Sequence, residues 1–302
     1  MATTSELTAT PRLAAPIHDR FRQFAWSVLA WNVLVVLWGA YVRASGSGAG
    51  CGSHWPLCNG EMLPQAPRTA TIIEFTHRMT SGVALIAVIA LCVWAFRQFP
   101  KGHLVRRTTV LSVAFLLTEA LLGAGLVLLQ YVDKNESAGR AVYLSAHLVN
   151  TQLLLALLTL TALQRWPAVT RWLGLLAIAL VVSVTGAIAA LGDTLFPATS
   201  LAAGMQSDFS ATAHFLLRLR VIHPILAVAA GVFFALTALS IIRRSTSAQA
   251  KAAAWAVALL VVLQFYAGAT NLLLLAPVWL QIVHLLLANL LWIALVALTV
   301  AE

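Results

Sequence analysis

Four histidines stand inside apolar stretches of the chain, at His77, His147, His223 and His284. An imidazole in hydrocarbon is costly without a partner, and imidazole is a ligand for transition metals. Four of them at matched positions therefore point to metal centres built from facing helices. Two neutral imidazoles, with no third nitrogen, thiolate or carboxylate beside both, are too few for a closed zinc site. They suffice as the two axial ligands of a haem iron. One haem per pair, His77 with His147 and His223 with His284, is the economical reading. For any single histidine, a hydrogen bond to a neighbouring helix is the competing explanation; four at one depth weigh against it. The other histidines, His18, His54, His103 and His214, fall in tails or loops and read as solvated surface.

The elements that must hold these side chains are membrane spans. With 61% hydrophobic residues, 10% charged and a mean hydropathy of +0.88, the chain is too apolar to hide its nonpolar surface inside a water-soluble fold. Eight stretches, near 22–43, 71–96, 107–130, 139–163, 170–191, 215–242, 252–275 and 277–300, are long enough to cross about 30 Å of hydrocarbon at about 1.5 Å per residue. The predicted fold is an all-α integral membrane protein of eight transmembrane helices, arranged as two pseudo-symmetric four-helix bundles.

The formal charge of +9 does not indicate nucleic-acid binding, because the basic residues occur in small groups between apolar runs. Arg97, Lys101, Arg106 and Arg107, then Arg165 and Arg171, then Arg243, Arg244 and Lys251 alternate with loops holding Asp133, Glu136, Asp193 and Asp208. The positive-inside rule places both termini in the cytoplasm of a cell inner membrane. Residues 1–21, polar and without an apolar core, read as a cytoplasmic tail and not as a signal peptide. The four histidines then lie on the second, fourth, sixth and eighth spans, roughly 8–13 Å below the outer surface.

The chain also repeats. EFTHRMTSGVALIAV in the second span matches RVIHPILAVAAGVFF in the sixth, and SAHLVNTQLLLALL in the fourth matches IVHLLLANLLWIAL in the eighth. TEALLGAGLVLLQ in the third is echoed by LQFYAGATNLLLLAP in the seventh. Residues 22–165 and 166–302 read as two duplicated halves of parallel topology, each owning one histidine pair. Small residues near the pairs, Gly82, Gly123, Gly125, Gly231 and Gly268, would leave room for a flat macrocycle.

VRASGSGAGCGSHWPLCNGEMLP followed by EFTHRMTSG resembles the haem A synthase family. A GSG loop, two cysteines bracketing Trp-Pro-Leu and a Glu-x-x-His-Arg on the next helix form a specific combination, and the eight spans agree along essentially the whole chain. The resemblance implies oxidation of the C8 methyl group of haem O to a formyl group by successive hydroxylations, for cytochrome oxidase biogenesis. It implies a substrate-haem site in the N-terminal half, flanked by His77 and His147, and a resident haem b in the C-terminal half on His223 and His284. Haem O, membrane lipid and the haem O synthase that supplies the substrate are the implied partners. The electron donor is a quinol or another protein, and a homo-oligomer is compatible with the sequence.

At equivalent places in the repeat, three residues before the histidine, stand Glu74 and Arg220. An i, i+3 spacing puts each on its histidine's face, one turn nearer the outer surface. Arg220 suits a propionate of a haem that is simply held. Glu74 would repel one, so a role in proton movement is expected; the alternative is a carboxylate stabilising a helix amino-terminus. Glu74, His77 and His147 are thus the expected catalytic set. Arg78 and Arg43 each either meet a propionate or snorkel to the interface. Cys51 and Cys58, in the long loop of about 44–70, are expected to form a disulfide that staples a lid with Trp55 on its underside, or else a redox-active pair. The matching 192–214 loop has no cysteine, and Cys92 reads as packing. Two other classes fit parts of the pattern: a dihaem membrane cytochrome exchanging electrons with quinone, and a duplicated transporter, which would bind no haem.

Overall fold

The computed structural model describes residues 17–166 and 169–301. Residues 1–16, most of the expected tail, and the His18 side chain lie outside the described residues. Nine helices are found there: α1 (Ile17–Ala44), α2 (Thr69–Gln98), α3 (Leu104–Leu128), α4 (Ala138–Leu163), α5 (Val169–Leu195), α6 (Leu201–Asp208), α7 (Phe215–Arg244), α8 (Ala248–Leu273) and α9 (Val278–Ala301). All but α6 are long and apolar enough to span a membrane. The chain is an all-α, multi-pass membrane protein. Its helices present Ile86, Leu121, Leu236 and Leu259 outward, as lipid requires, and bury Leu91, Leu155, Leu158, Leu295 and Leu298 in one core shared by both halves.

Each half closes into the same ring. Helix α1 packs on α2 and α4, α2 on α3, and α3 on α4; α5 packs on α7 and α9, α7 on α8, and α8 on α9. The halves meet through α4·α9, α1·α9 and α4·α5. Exchanging α1 with α5, α2 with α7, α3 with α8 and α4 with α9 maps these contacts onto themselves. That is what two copies of one bundle related by an axis along the helices would produce. The axis passes through α4·α9, where Gln152 and Asn289, equivalent in the repeat and fully buried, hydrogen-bond to each other at 3.2 Å.

Three features differ notably from expectation. Helix α1 starts at Ile17, so residues 17–21 are helical and not tail, and Asp19 in its first turn pairs with Arg22 at 3.6 Å. The 192–214 connection is not all loop. Asp193 lies in the last turns of α5, and α6 forms where the Ser200 hydroxyl accepts from the Ala203 amide at 3.1 Å, a local cap that apolar patterning does not report. His103 and His214, expected as solvated surface, instead cap α3 and α7, accepting from the amides of Val105 and Leu216. His103 also stacks on Phe99, and His214 lies tilted against Phe196.

Candidate functional site

The four span histidines lie eight, nine, eight and six residues beyond the first residues of α2, α4, α7 and α9. At about 1.5 Å per residue that sets all four at a similar depth below one end of the bundle. That end, the lid end, carries the connections 45–68, 129–137, 196–214 and 274–277.

In the C-terminal half the rings of His223 and His284 face each other with centroids 6.5 Å apart and planes at 84°. An imidazole nitrogen bonds a metal at about 2.0 Å, which with the size of the ring puts two trans-ligating centroids roughly 6.4 Å apart. The spacing suits one metal ion between two imidazoles. Among the described residues no three His, Cys, Asp or Glu side chains gather as a metal site. A two-nitrogen donor set with nothing further is that of an axially ligated haem, so these residues fit the group.

Each histidine is seated against a glycine of the next helix. A Cβ on Gly186 of α5 would stand 2.9 Å from His223 Cε1, and one on Gly268 of α8 would stand 3.2 Å from His284 Cε1. In the N-terminal half, Gly39 of α1 meets His77 at 3.0 Å and Gly123 of α3 meets His147 at 4.0 Å by the same measure. The seats follow the bundle exchange: α1 and α5 seat the first histidine of each pair, α3 and α8 the second. Gly39 and Gly186 were not singled out from sequence, although WGAYV and TGAIA align around them. Two glycines expected to leave room for a macrocycle do not. Tyr143 fills the space at Gly125 and Phe265 that at Gly231, whereas Gly82 opens on nothing.

Glu74 is 3% exposed. Its carboxylate accepts the Cys51 amide at 2.8 Å and pairs with Arg78 at 2.5 Å. Arg78 donates onward to the carbonyls of His54 and Leu57 at 2.8 and 2.7 Å. It is therefore not free. It clamps the 51–58 segment, which Cys51 and Cys58 close as a disulfide. Gly50 presses this segment so closely on the first turn of α2 that a Cβ would stand 2.4 Å from the Ala70 carbonyl carbon. Both cysteines are buried, at 0% and 1% exposure. Trp55 is 40% exposed and is not the lid's underside. Cys92 is a free, half-buried thiol within α2.

At the equivalent place in the other half, Arg220 is held by two carboxylates, Asp193 of α5 at 2.9 Å and Asp208 at the end of α6. Both lid connections are thus fastened at the same register by ion pairs of opposite polarity. Arg43 has partners that the sequence reading did not foresee. It crosses between halves, donating to the Ala190 carbonyl at 2.8 Å, the Thr194 hydroxyl at 2.7 Å and Gln281 at 3.1 Å.

Sequence reasoning passed over Glu119 of α3. Its carboxylate accepts from Asn150 at 2.6 Å and from the Thr151 hydroxyl, and lies 3.5 Å from His147 Nδ1. An acidic residue in mid-span was the available signal.

Comparison with known proteins places this geometry. Residues 22–296 match the family described as cytochrome oxidase assembly protein. Over 285 residues the chain is 46% identical to a Thermus thermophilus protein named protoheme IX farnesyltransferase, an alignment covering 90% of the chain and 47% of that protein. A segment of 111 residues is 37% identical to a heme A synthase of Alkalihalophilus pseudofirmus, covering 37% of each. Another, of 106 residues, is 46% identical to a heme A synthase of Staphylococcus carnosus, covering 35% of the chain and 33% of that enzyme. The chain spans about half or less of the length of these curated relatives.

Proposed function

The chain belongs to the cytochrome oxidase assembly protein family, the family of the haem A synthases, and from that membership we propose that it oxidises the C8 methyl group of haem O to a formyl group. In a monooxygenase-type reaction the methyl is hydroxylated twice, each step consuming one O2 with two protons and two electrons from the donor and releasing one water, and loss of a further water from the geminal diol leaves the aldehyde. The observation that carries this reading is the pair of equivalent, glycine-seated histidine sites in a duplicated bundle, with His223 and His284 spaced for one iron.

We assign the C-terminal pair to a resident haem b and the N-terminal pair, His77 and His147, to the substrate. Haem b supplies one-electron redox chemistry when bound. The rest belongs to the chain. Helices α4 and α9, bonded through Gln152 and Asn289, keep the two sites at a fixed separation. The lid clamped by Glu74 and Arg78 excludes water from the N-terminal site, and lipid-facing helices accept the farnesyl tail. Glu74, one turn from His77, is the carboxylate assigned to proton movement. Because Arg220 already meets two carboxylates, it would engage a propionate only by yielding one of them.

The farnesyltransferase name of the Thermus relative favours a second reading, prenyl transfer to haem. That chemistry needs a prenyl diphosphate and the divalent cation that binds it, which calls for grouped carboxylates. Among the described residues there is no such group. We assign prenyl transfer to the part of that relative with no counterpart here. A haem O-producing enzyme is then the natural partner, with the electron donor a quinol or protein and the site in the cell inner membrane, both termini cytoplasmic.

Haem extraction and chromatography from cells expressing the chain with a haem O source tests the assignment. Haem A should accumulate; haem O persisting unchanged beside a haem-loaded protein would favour the dihaem cytochrome instead. Gly186→Ala is expected to weaken haem b retention. Overpacking of about 1–3 kcal/mol against His223 is about a 5- to 150-fold loss of affinity. The purified variant's haem-to-protein ratio measures it, and an unchanged ratio would refute the seat.

A further inference from the structure

We propose that Glu119 is the positioning residue of the N-terminal site: its carboxylate accepts a hydrogen bond from His147 Nδ1–H, fixing the tautomer in which Nε2 is the free, strengthened donor toward the iron of the bound porphyrin. The inference rests on the assignment of a porphyrin to His77 and His147.

His147 Nδ1 is buried and has no hydrogen-bond partner at ideal distance. Glu119 Oε2, at 3.5 Å, is the acceptor beside it, and a small ring rotation closes the gap. A carboxylate in mid-span persists only when it is surrounded by donors. Asn150 donates to Oε2 at 2.6 Å while also holding the Phe115 carbonyl at 2.8 Å, and Thr151 donates to Oε1. The carboxylate is thus braced from α4, on the helix that carries His147, and the Nδ1 proton would be its third donor.

The duplication supplies the comparison. With Gly123 opposite Gly268, Glu119 falls opposite Gln264; with His147 opposite His284, Asn150 and Thr151 fall opposite Leu287 and Ala288. The acid and both of its braces are absent together from the C-terminal half. There the Gln264 side-chain oxygen and His284 Nδ1 are both buried without partners. One half is equipped to push electron density into its histidine, and the other is not. A carboxylate behind a ligating imidazole fixes its tautomer and raises its basicity. The iron held by the N-terminal pair should therefore have the lower reduction potential, as suits a site where the porphyrin is oxidised.

The test is spectroelectrochemical titration of the full chain loaded with haem O in the N-terminal half, comparing wild type, Glu119→Gln and Glu119→Asp. Gln keeps the shape and an acceptor for Thr151 but turns a donor toward Asn150, so Thr151→Ala, which weakens the brace and keeps the charge, is the control for bracing. We expect Glu119→Gln to raise the potential of the N-terminal haem, to leave that of the C-terminal haem unmoved, and to slow haem A formation about 10- to 100-fold. Glu119→Asp should recover part of the shift. Thr151→Ala, which loosens the brace without touching the charge, should move the potential in the same direction by less and serves if Glu119→Gln does not fold. An unmoved potential in the folded variants overturns the inference while leaving the function intact. A wild-type chain that takes up no haem in its N-terminal half overturns the functional assignment instead, and this inference with it.

Discussion

His284→Ala is expected to abolish retention of haem b. The His223 and His284 rings, 6.5 Å apart, form a two-donor site, and among the described residues no third His, Cys, Asp or Glu gathers with them to take the place of a lost imidazole. The loss should exceed about tenfold in affinity, or about 1.4 kcal/mol, because a coordinate bond is lost outright. His284 stands against Gly268, so the truncation opens space without forcing a clash, and the bundle should persist. Absorption spectra of the detergent-purified variant, with size-exclusion chromatography to confirm that it is folded, give the answer. A variant that keeps the wild-type low-spin spectrum would show that the pair does not share an iron. His147→Ala, by contrast, should leave the haem b spectrum in place while conversion of haem O fails, since the pairs belong to different halves.

Glu74→Gln is expected to leave haem content unchanged while haem A formation falls by more than about tenfold, or about 1.4 kcal/mol in the barrier. The glutamine is close to isosteric and still accepts the Cys51 amide, and Arg78 keeps its carbonyl partners in the lid, so the local structure has enough bonds to survive. What disappears is the carboxylate assigned to proton movement. Glu74→Ala is a separate matter. Both variants remove the negative charge facing Arg78 in a nearly buried site, but alanine also takes away the acceptor of the Cys51 amide, leaving that buried donor unpaired at a further cost of about 1–3 kcal/mol, so Glu74→Ala should lower the thermal midpoint more than Glu74→Gln, as well as the activity. Haem extraction and thermal unfolding on both variants distinguish the roles. Wild-type conversion by Glu74→Gln would reduce Glu74 to a fastener of the lid.

The span count, the histidine positions, the Cys51–Cys58 bridge and the duplication were all legible in one dimension. Each depends on residue type and local order: twenty or so apolar residues cross a bilayer wherever they occur, a histidine in such a run is conspicuous, and a repeat is visible by inspection. The partners of the charged residues were not legible. Arg43 and Gln281 are 238 positions apart, and Arg220 meets Asp208 only because α6 folds back over α7. Arg78 follows His77 directly, yet it reaches round to carbonyls of the preceding loop.

Glu119 and Gly39 mark where local reading stops. Glu119 is conspicuous only as an acid in mid-span and Gly39 not at all, and each gains its meaning from the histidine that a neighbouring helix brings to it, His147 for Glu119 and His77 for Gly39. The chain by itself determined which segments enter the membrane and at what depth their imidazoles stand, because hydrophobic length and side-chain chemistry are local properties. Which histidine faces which, which glycine makes the room and which carboxylate stands behind a ligand were decided only by tertiary structure. Helix rotation and packing set those distances, and they are settled jointly by all the contacts of the bundle.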